Sequence, residues 1–272
     1  MIREFYLHLV SDSTGETLGI TAKAVCAQFE GAQPLEHLYS LIRSERQLHH
    51  AIEGIAARPG VVFFTLVNPG LRKILEDNCA KLGVPCVSIL DRAVQVLGTY
   101  LGAEESHKPG GQHEMDSRYL DRVEAVNFTL QHDDGQSTKD IGLSDVILVG
   151  ASRTSKTPTC VYLAIRGVRA TNIPVVPGVE LPEELFTATK PLIVGLWATP
   201  DRLLQVRRQR LNTIGETRGT EYIDEESVRA EVAFTRKLFE RHDWPAIDVS
   251  RRSIEETAAG ILTMLADRKP RP

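Results

Sequence analysis

The sequence is short of long apolar runs. The densest, Val61 to Val67, has about a third of the roughly 20 residues that a membrane-spanning helix needs. The opening residues, Met1-Ile-Arg-Glu-Phe-Tyr6, lack the charged-then-apolar layout of a signal peptide. Cysteine is scarce. Cys26, Cys79, Cys86 and Cys160 form no C-x-x-C pair and sit in apolar stretches, which predicts reduced, buried thiols in place of a disulfide framework or a zinc site. Neither sign of charge dominates: 32 Lys and Arg stand against 36 Asp and Glu, a net charge of −4, with a pI near 6.1. That balance argues against a general nucleic-acid or membrane-surface binder. Internal repeats and low-complexity segments are also missing. What remains is a soluble chain, expected in the cytoplasm. Its 272 residues, 42% hydrophobic and 25% charged, fit one large domain or two of ordinary size, with a proper core.

The most informative stretch that is present comprises Gly150, Ala151, Ser152, Arg153, Thr154, Ser155, Lys156 and Thr157. It follows the apolar run Val146 to Val149 and precedes a helical pattern from Pro158 to Arg166. Strand, polar loop ending in Lys-Thr, then helix is the context of a phosphate-binding P-loop. Loop and first-turn N–H groups converge on an anion there, because a helix N-terminus has unpaired donors and a partial positive charge. Lys156 would add a full charge beside the terminal phosphates, and the Thr157 hydroxyl could ligate Mg²⁺. Ser155 replaces the penultimate glycine of the usual G-x-x-x-x-G-K-[ST] pattern. A polar turn capped by Ser or Thr would explain the same residues without a ligand.

Around this loop the chain alternates short apolar runs with helical patterns, the sign of parallel sheets covered by helices. Strands are expected at 5–10, 35–41, 61–67 and 84–90, with helices at 17–29, 45–57, 71–82 and 93–101. The fold class predicted is therefore α/β, with two open, mostly parallel units, the second carrying the P-loop. Residues 1–102 form an N-terminal α/β domain. Residues 103–140 form a linker loop and a helix from Asp116 to about Leu130, and residues 141–272 a nucleotide-binding catalytic domain. Later strands are expected at 173–176, 192–196 and 246–249, and helices at 200–211, 225–241 and 254–266.

Other groups could carry chemistry. Ser11-Asp-Ser-Thr-Gly-Glu-Thr17 also lies between a strand and a helix. Ser13 with Glu16 fits a capping box, which leaves Asp12, Thr14 and Gly15 to be explained; Asp12, Ser13 and Thr14 are candidate phosphate or substrate ligands. His107, Lys108, Gln112 and His113 lie on a glycine-bearing loop that could be a lid or a solvated linker, and His132-Asp-Asp-Gly135 reads as an acidic turn ending a helix. Arg207 and Arg210 share a helical face, while Arg251 and Arg252 follow a strand. Loops at the C-terminal edge of an open sheet could bring such arginines to the phosphates. Asp201 and Asp248 are candidate acids for binding Mg²⁺ or taking a hydroxyl proton, Asp201 being the preferred catalytic one beside Lys156 and Thr157.

Taken together, Ser11 to Thr17, Gly150 to Thr159, Tyr162-Leu-Ala164 and Arg251-Arg-Ser-Ile-Glu-Glu-Thr257 resemble the bacterial pyruvate, phosphate dikinase regulatory protein family. A sister branch of that family regulates phosphoenolpyruvate synthase. The likeness runs over nearly the whole chain, through Gln112-His113, His132 to Gly135 and Asp243-Trp244. Thr-Ser-Lys-Thr resembles the dikinase branch, where the synthase branch tends to Gly-Lys-Thr. The resemblance implies a bifunctional enzyme whose protein partner is the dikinase. One activity is a protein kinase with ADP as donor, acting on a threonine beside the dikinase's catalytic histidine. The other removes that phosphate with inorganic phosphate and releases pyrophosphate. A homodimer is compatible with this reading. A P-loop small-molecule kinase and a non-catalytic nucleotide sensor remain alternatives, as does the synthase as target.

Overall fold

The computed structural model describes residues 3–111, 117–135, 140–214 and 221–268. Gln112 and His113 lie outside the described residues. The chain divides between residues 114 and 115 into two compact units, each an open sheet of four parallel strands.

In the first unit the order is β2-β1-β3-β4, from β1 (Arg3–Ser11), β2 (Ala32–Tyr39), β3 (Val61–Thr65) and β4 (Cys86–Ser88). Helices α1 (Glu16–Cys26), α2 (Glu45–Ala57), α3 (Pro69–Leu82) and α4 (Asp91–Leu101) follow the strands in turn. Strand side chains alternate between faces, so β1 gives Leu7 and Leu9 to a core shared with Leu18 and Ala22 of α1. Val10 goes to the opposite core, with Leu48 and Ile55 of α2 and Leu71 and Leu75 of α3. Local chemistry fixes the helix ends. Ser44 accepts from the Gln47 amide at the start of α2, and Asn68 caps α3 ahead of Pro69, which ends at left-handed Gly83. The capping box expected of Ser13 and Glu16 does not form: α1 starts from left-handed Gly15 with no side-chain cap. The chain spends Ser13 to Gly15 on the turn itself, which places Glu16 inside the helix.

The second unit repeats the pattern as β6-β5-β7-β8, with β5 (Val146–Gly150), β6 (Ala170–Pro174), β7 (Leu192–Trp197) and β8 (Ala246–Asp248). Helix α5 (Ser117–Gln131) precedes the first of these strands, and α6 (Lys156–Ala164) and α7 (Glu183–Thr187) lie between them. The remaining helices are α8 (Pro200–Ile214), α9 (Glu225–Arg241) and α10 (Ile254–Asp267). All five residues of β5 are buried, as a central parallel strand covered on both faces requires. Val146 and Leu148 pack with Cys160 and Leu163 of α6, while Ile147 and Val149 pack with Phe239 of α9. A capping box does occur at Ser253 and Glu256, opening α10. Of the cysteines, Cys79 and Cys160 are buried, whereas Cys26 and Cys86 are only half-buried.

In both units the second strand lies on one side of the first and the third on the other. The switch point, where ligands of open α/β sheets collect, falls between β5 and β7 in the second unit. Gly150 ends β5 there, and a Cβ at this position would lie 2.3 Å from the Leu196 carbonyl oxygen of β7. Backbone cannot yield as a side chain can. Gly150→Ala is expected to cost about 1–3 kcal/mol, read as a lowered midpoint in chemical denaturation; an unchanged midpoint would show that the two strands have room to part.

Candidate functional site

The loop from Gly150 to Thr157 leaves β5 at the C-terminal edge of the sheet and turns into α6 at Lys156. The helix begins two residues before the start expected at Pro158. A proline in the first turn removes only a donor that had no intrahelical partner. Arg153 (φ 71) and Ser155 (φ 60, ψ 23) are left-handed, a conformation that costs a non-glycine residue roughly 1–2 kcal/mol. Ser155 therefore occupies the position where glycine would relieve strain.

Several hydrogen bonds hold this strained turn. Thr154 Oγ1 donates to the Ala151 carbonyl at 2.8 Å, and Lys156 Nζ donates to the same carbonyl at 2.9 Å. Arg207 of α8, 1% exposed, reaches the loop from behind. One of its nitrogens donates to the Ser152 carbonyl (3.1 Å), and two meet the Glu231 carboxylate of α9 at 2.8 and 2.9 Å. It also donates to the Tyr222 carbonyl (3.2 Å) and stacks over the Tyr222 ring, while Arg153 Nε donates to the Tyr222 hydroxyl at 3.1 Å. Arg207 is thus a strut. Arg208 and Arg210 are exposed.

Lys156 is 5% exposed, and burial drives its pKa down to about 8 against the pull of Asp134, Glu231 and Asp133 in the opposite direction. Beside it, the Thr157 hydroxyl donates to Asp133 Oδ1 (2.9 Å). The Asn172 amide of β6 lies within hydrogen-bonding distance of Asp133 Oδ1, Asp134 Oδ1 and Thr157 Oγ1, at 2.7, 3.0 and 2.9 Å. Among the described residues, Asn172 Oδ1 is buried without a partner. Asp134 sits in a left-handed turn (φ 49, ψ 33) and, with Ser155, Lys156 and Thr157, lines a cleft of about 470 Å³. In the sequence these carboxylates look like no more than an acidic turn ending a helix. A signal was available in Asn172, a polar residue in the buried run Ala-Thr-Asn-Ile, since buried polar groups need partners.

The other candidates lie elsewhere. Asp201, Asp248, Arg251 and Arg252 line a separate cleft at the ends of β7 and β8. In the first unit Asp12 is buried, accepts from the Val67 amide at 2.7 Å and has its pKa raised by burial. It ties the loop after β1 to the loop after β3. Ser13 donates its amide to Ser11 Oγ, and Thr14 Oγ1 faces the Glu16 amide at 3.5 Å. His107 lies 3.6 Å from Glu105.

A lysine and a helix N-terminus on one side of the cleft at Lys156 face carboxylates and a hydroxyl on the other, groups of the kind that an α/β enzyme acting on anions uses. The chain belongs to the kinase/pyrophosphorylase family, whose profile matches residues 7–262. A protein from Caulobacter vibrioides is 54% identical over 96% of this chain and 83% of its own length. One from Maricaulis maris is 50% identical over 97% and 95%, and one from Bradyrhizobium diazoefficiens 50% over 97% and 95%. Each carries a provisional name as a pyruvate, phosphate dikinase regulatory protein.

Arg207→Met should cost about 3–5 kcal/mol, because it strands the Glu231 charge. Adding Glu231→Leu should recover most of that stability but not the affinity of the loop for phosphate ligands, since Ser152 stays untethered. Denaturation curves and ligand titrations on the same variants separate the two effects; full recovery of affinity in the double variant would rule out the strut.

Proposed function

We propose that this enzyme is a bifunctional regulator of pyruvate, phosphate dikinase. It inactivates the dikinase by transferring phosphate from ADP to a threonine and reactivates it by moving that phosphate to inorganic phosphate, releasing pyrophosphate. The observation that carries this reading is the meeting of Lys156, Thr157 and Asp134 at one cleft, in a chain of the kinase/pyrophosphorylase family.

The residues divide the work. The loop 150–157 acts as a P-loop, its amides and the α6 N-terminus holding phosphate oxygens, with Ser155 in the glycine position. Lys156, buried and electrostatically strong for that reason, neutralises the donor phosphates. Asp134 takes the proton as the target threonine's oxygen attacks the β-phosphorus of ADP and AMP leaves. In the other direction a phosphate oxygen attacks the phosphothreonine, the threonine oxygen departs, and Asp134 returns the proton. Catalysis of this kind is mainly positioning and charge neutralisation. The Thr157 hydroxyl with the Asp133 carboxylate, which it meets at 2.9 Å, offers oxygen donors of the kind Mg²⁺ prefers. The ion would be held by these residues and would screen charge on the transferring group.

Label in the β-phosphate of ADP should therefore appear on a dikinase threonine, with AMP as coproduct, and Lys156→Ala should abolish the transfer while the protein stays folded. Label on phosphoenolpyruvate synthase instead would move the target to the sister partner. Phosphorylation of a small metabolite from ATP, or tight ADP binding with no turnover on any protein, would overturn the reading.

Thr157→Ser should keep much of the activity, and Thr157→Val should lose it. Valine also leaves Asp133 and Asn172 short of a partner, at roughly 1–3 kcal/mol of stability, so activity is compared at a temperature where both variants are folded. Equal loss in the two would assign the role to the methyl group.

A further inference from the structure

Strands β7 and β8 leave the sheet side by side, and the loops that follow enclose a second cleft of about 910 Å³. It shares no lining residue with the cleft at Lys156. Hydrogen bonds fix its floor. Asp248 Oδ1 accepts from the Ser250 amide (2.9 Å) and from the Ser250 hydroxyl, whose Oγ in turn accepts from the Thr199 amide at 2.9 Å. Three guanidinium groups line the cleft, those of Arg202, Arg251 and Arg252. Arg202 donates to Gln205 (2.9 Å), and Arg252 acts on Glu256 through space. Among the described residues, Arg251 and Arg252 make no hydrogen bond or ion pair. Two acids, Asp201 and Asp248, line the same cleft and offset only part of this charge, leaving an excess of one guanidinium over the carboxylates. The α10 N-terminus is closed by its own capping box, so binding capacity here lies in the guanidiniums.

We propose that this cleft is a second oxyanion site, holding a phosphate-type dianion that does not itself react. Arginine forks match pairs of phosphate oxygens, and convergence of several on one small cleft favours a compact, multiply charged ligand. The Lys156 cleft reaches toward the end of β6, through Pro174 and Val176. Across the order β6-β5-β7-β8, two strand spacings of about 5 Å each separate the two clefts. That is too far for in-line transfer, which needs roughly 3 Å. Helix α8 borders both, giving Arg202 and Gln205 to one and Val206 to the other. The dianion has two sources: free inorganic phosphate, or a phosphoryl group carried by the protein substrate. Only the second rests on the proposed function.

The test titrates inorganic phosphate into Lys156→Ala protein, which removes the lysine of the first cleft, and follows phosphorus NMR line width, with thermal melting as the check on folding. Saturable binding is expected, weakened about tenfold or more when Arg251→Gln and Arg252→Gln are added. That result assigns free phosphate. A comparable rise in KM for the phosphorylated protein partner in Arg251→Gln/Arg252→Gln, with phosphate line widths unaffected, assigns the protein-borne group. The proposal is overturned if the double substitution changes neither quantity. It is equally overturned if ADP binding weakens as much as phosphate binding, which would put the arginines at the first cleft. The line-width measurement needs no turnover, so it fails or succeeds independently of the activity proposed above.

Discussion

Behind the 150–157 loop a guanidinium and a carboxylate meet with almost no access to water, and the loop's shape depends on that meeting. Arg207 and Glu231 bond in two places, and the same guanidinium holds the Ser152 carbonyl. Taking both charges out of water is expensive, and a hydrophobic pair of similar volume would often serve stability as well. What such a pair could not do is restrain a turn with two left-handed, non-glycine residues. Arg153 and Ser155 would relax if nothing opposed them. The ion pair opposes them from one side and the Tyr222 hydroxyl from another. Lys156 then enters the helix at a fixed place, lining the same cleft as Asp134.

Much of the fold was legible because parallel sheets write themselves into sequence as buried apolar runs between amphipathic helices. The bounds of α2 and α9 could be read to the residue, since Ser44 and Asp224 announce the first turns with side-chain caps. Legibility failed where a local pattern was overridden. The run Ile173 to Val176 looks like a strand, yet pairing with β5 spans Ala170 to Pro174, and Val175 stays buried after the strand has ended. Ser13 and Glu16 have capping-box spacing, but Gly15 turns the chain too late for them to use it.

The candidate site was half visible. The loop could be read because its residues are contiguous. Its acid could not, because Asp133 and Asp134 stand more than twenty positions away from Thr157, and no periodicity marks a contact of that range. Asp201 was the natural choice by strand-end logic, and it does lie at the sheet's C-terminal edge, but beside β8 instead of β6. The corresponding loop of the first unit differs in charge as well as partners. Glu16 opens α1 where Lys156 opens α6, and Asp12 turns inward to bond Val67.

Each sheet is assembled wholly from its own stretch of chain. Among the described residues, every strand of the first lies between Arg3 and Ser88 and every strand of the second between Val146 and Asp248, and no strand pairs with one from the other half. During synthesis the first sheet can therefore close on the ribosome while β5 is still inside the exit tunnel, since domains fold as units, the earlier one first. The second has no such head start: β8 begins at Ala246, long after β5 has ended at Gly150, so the two arginines that follow it are the last of their cleft's lining residues to be made.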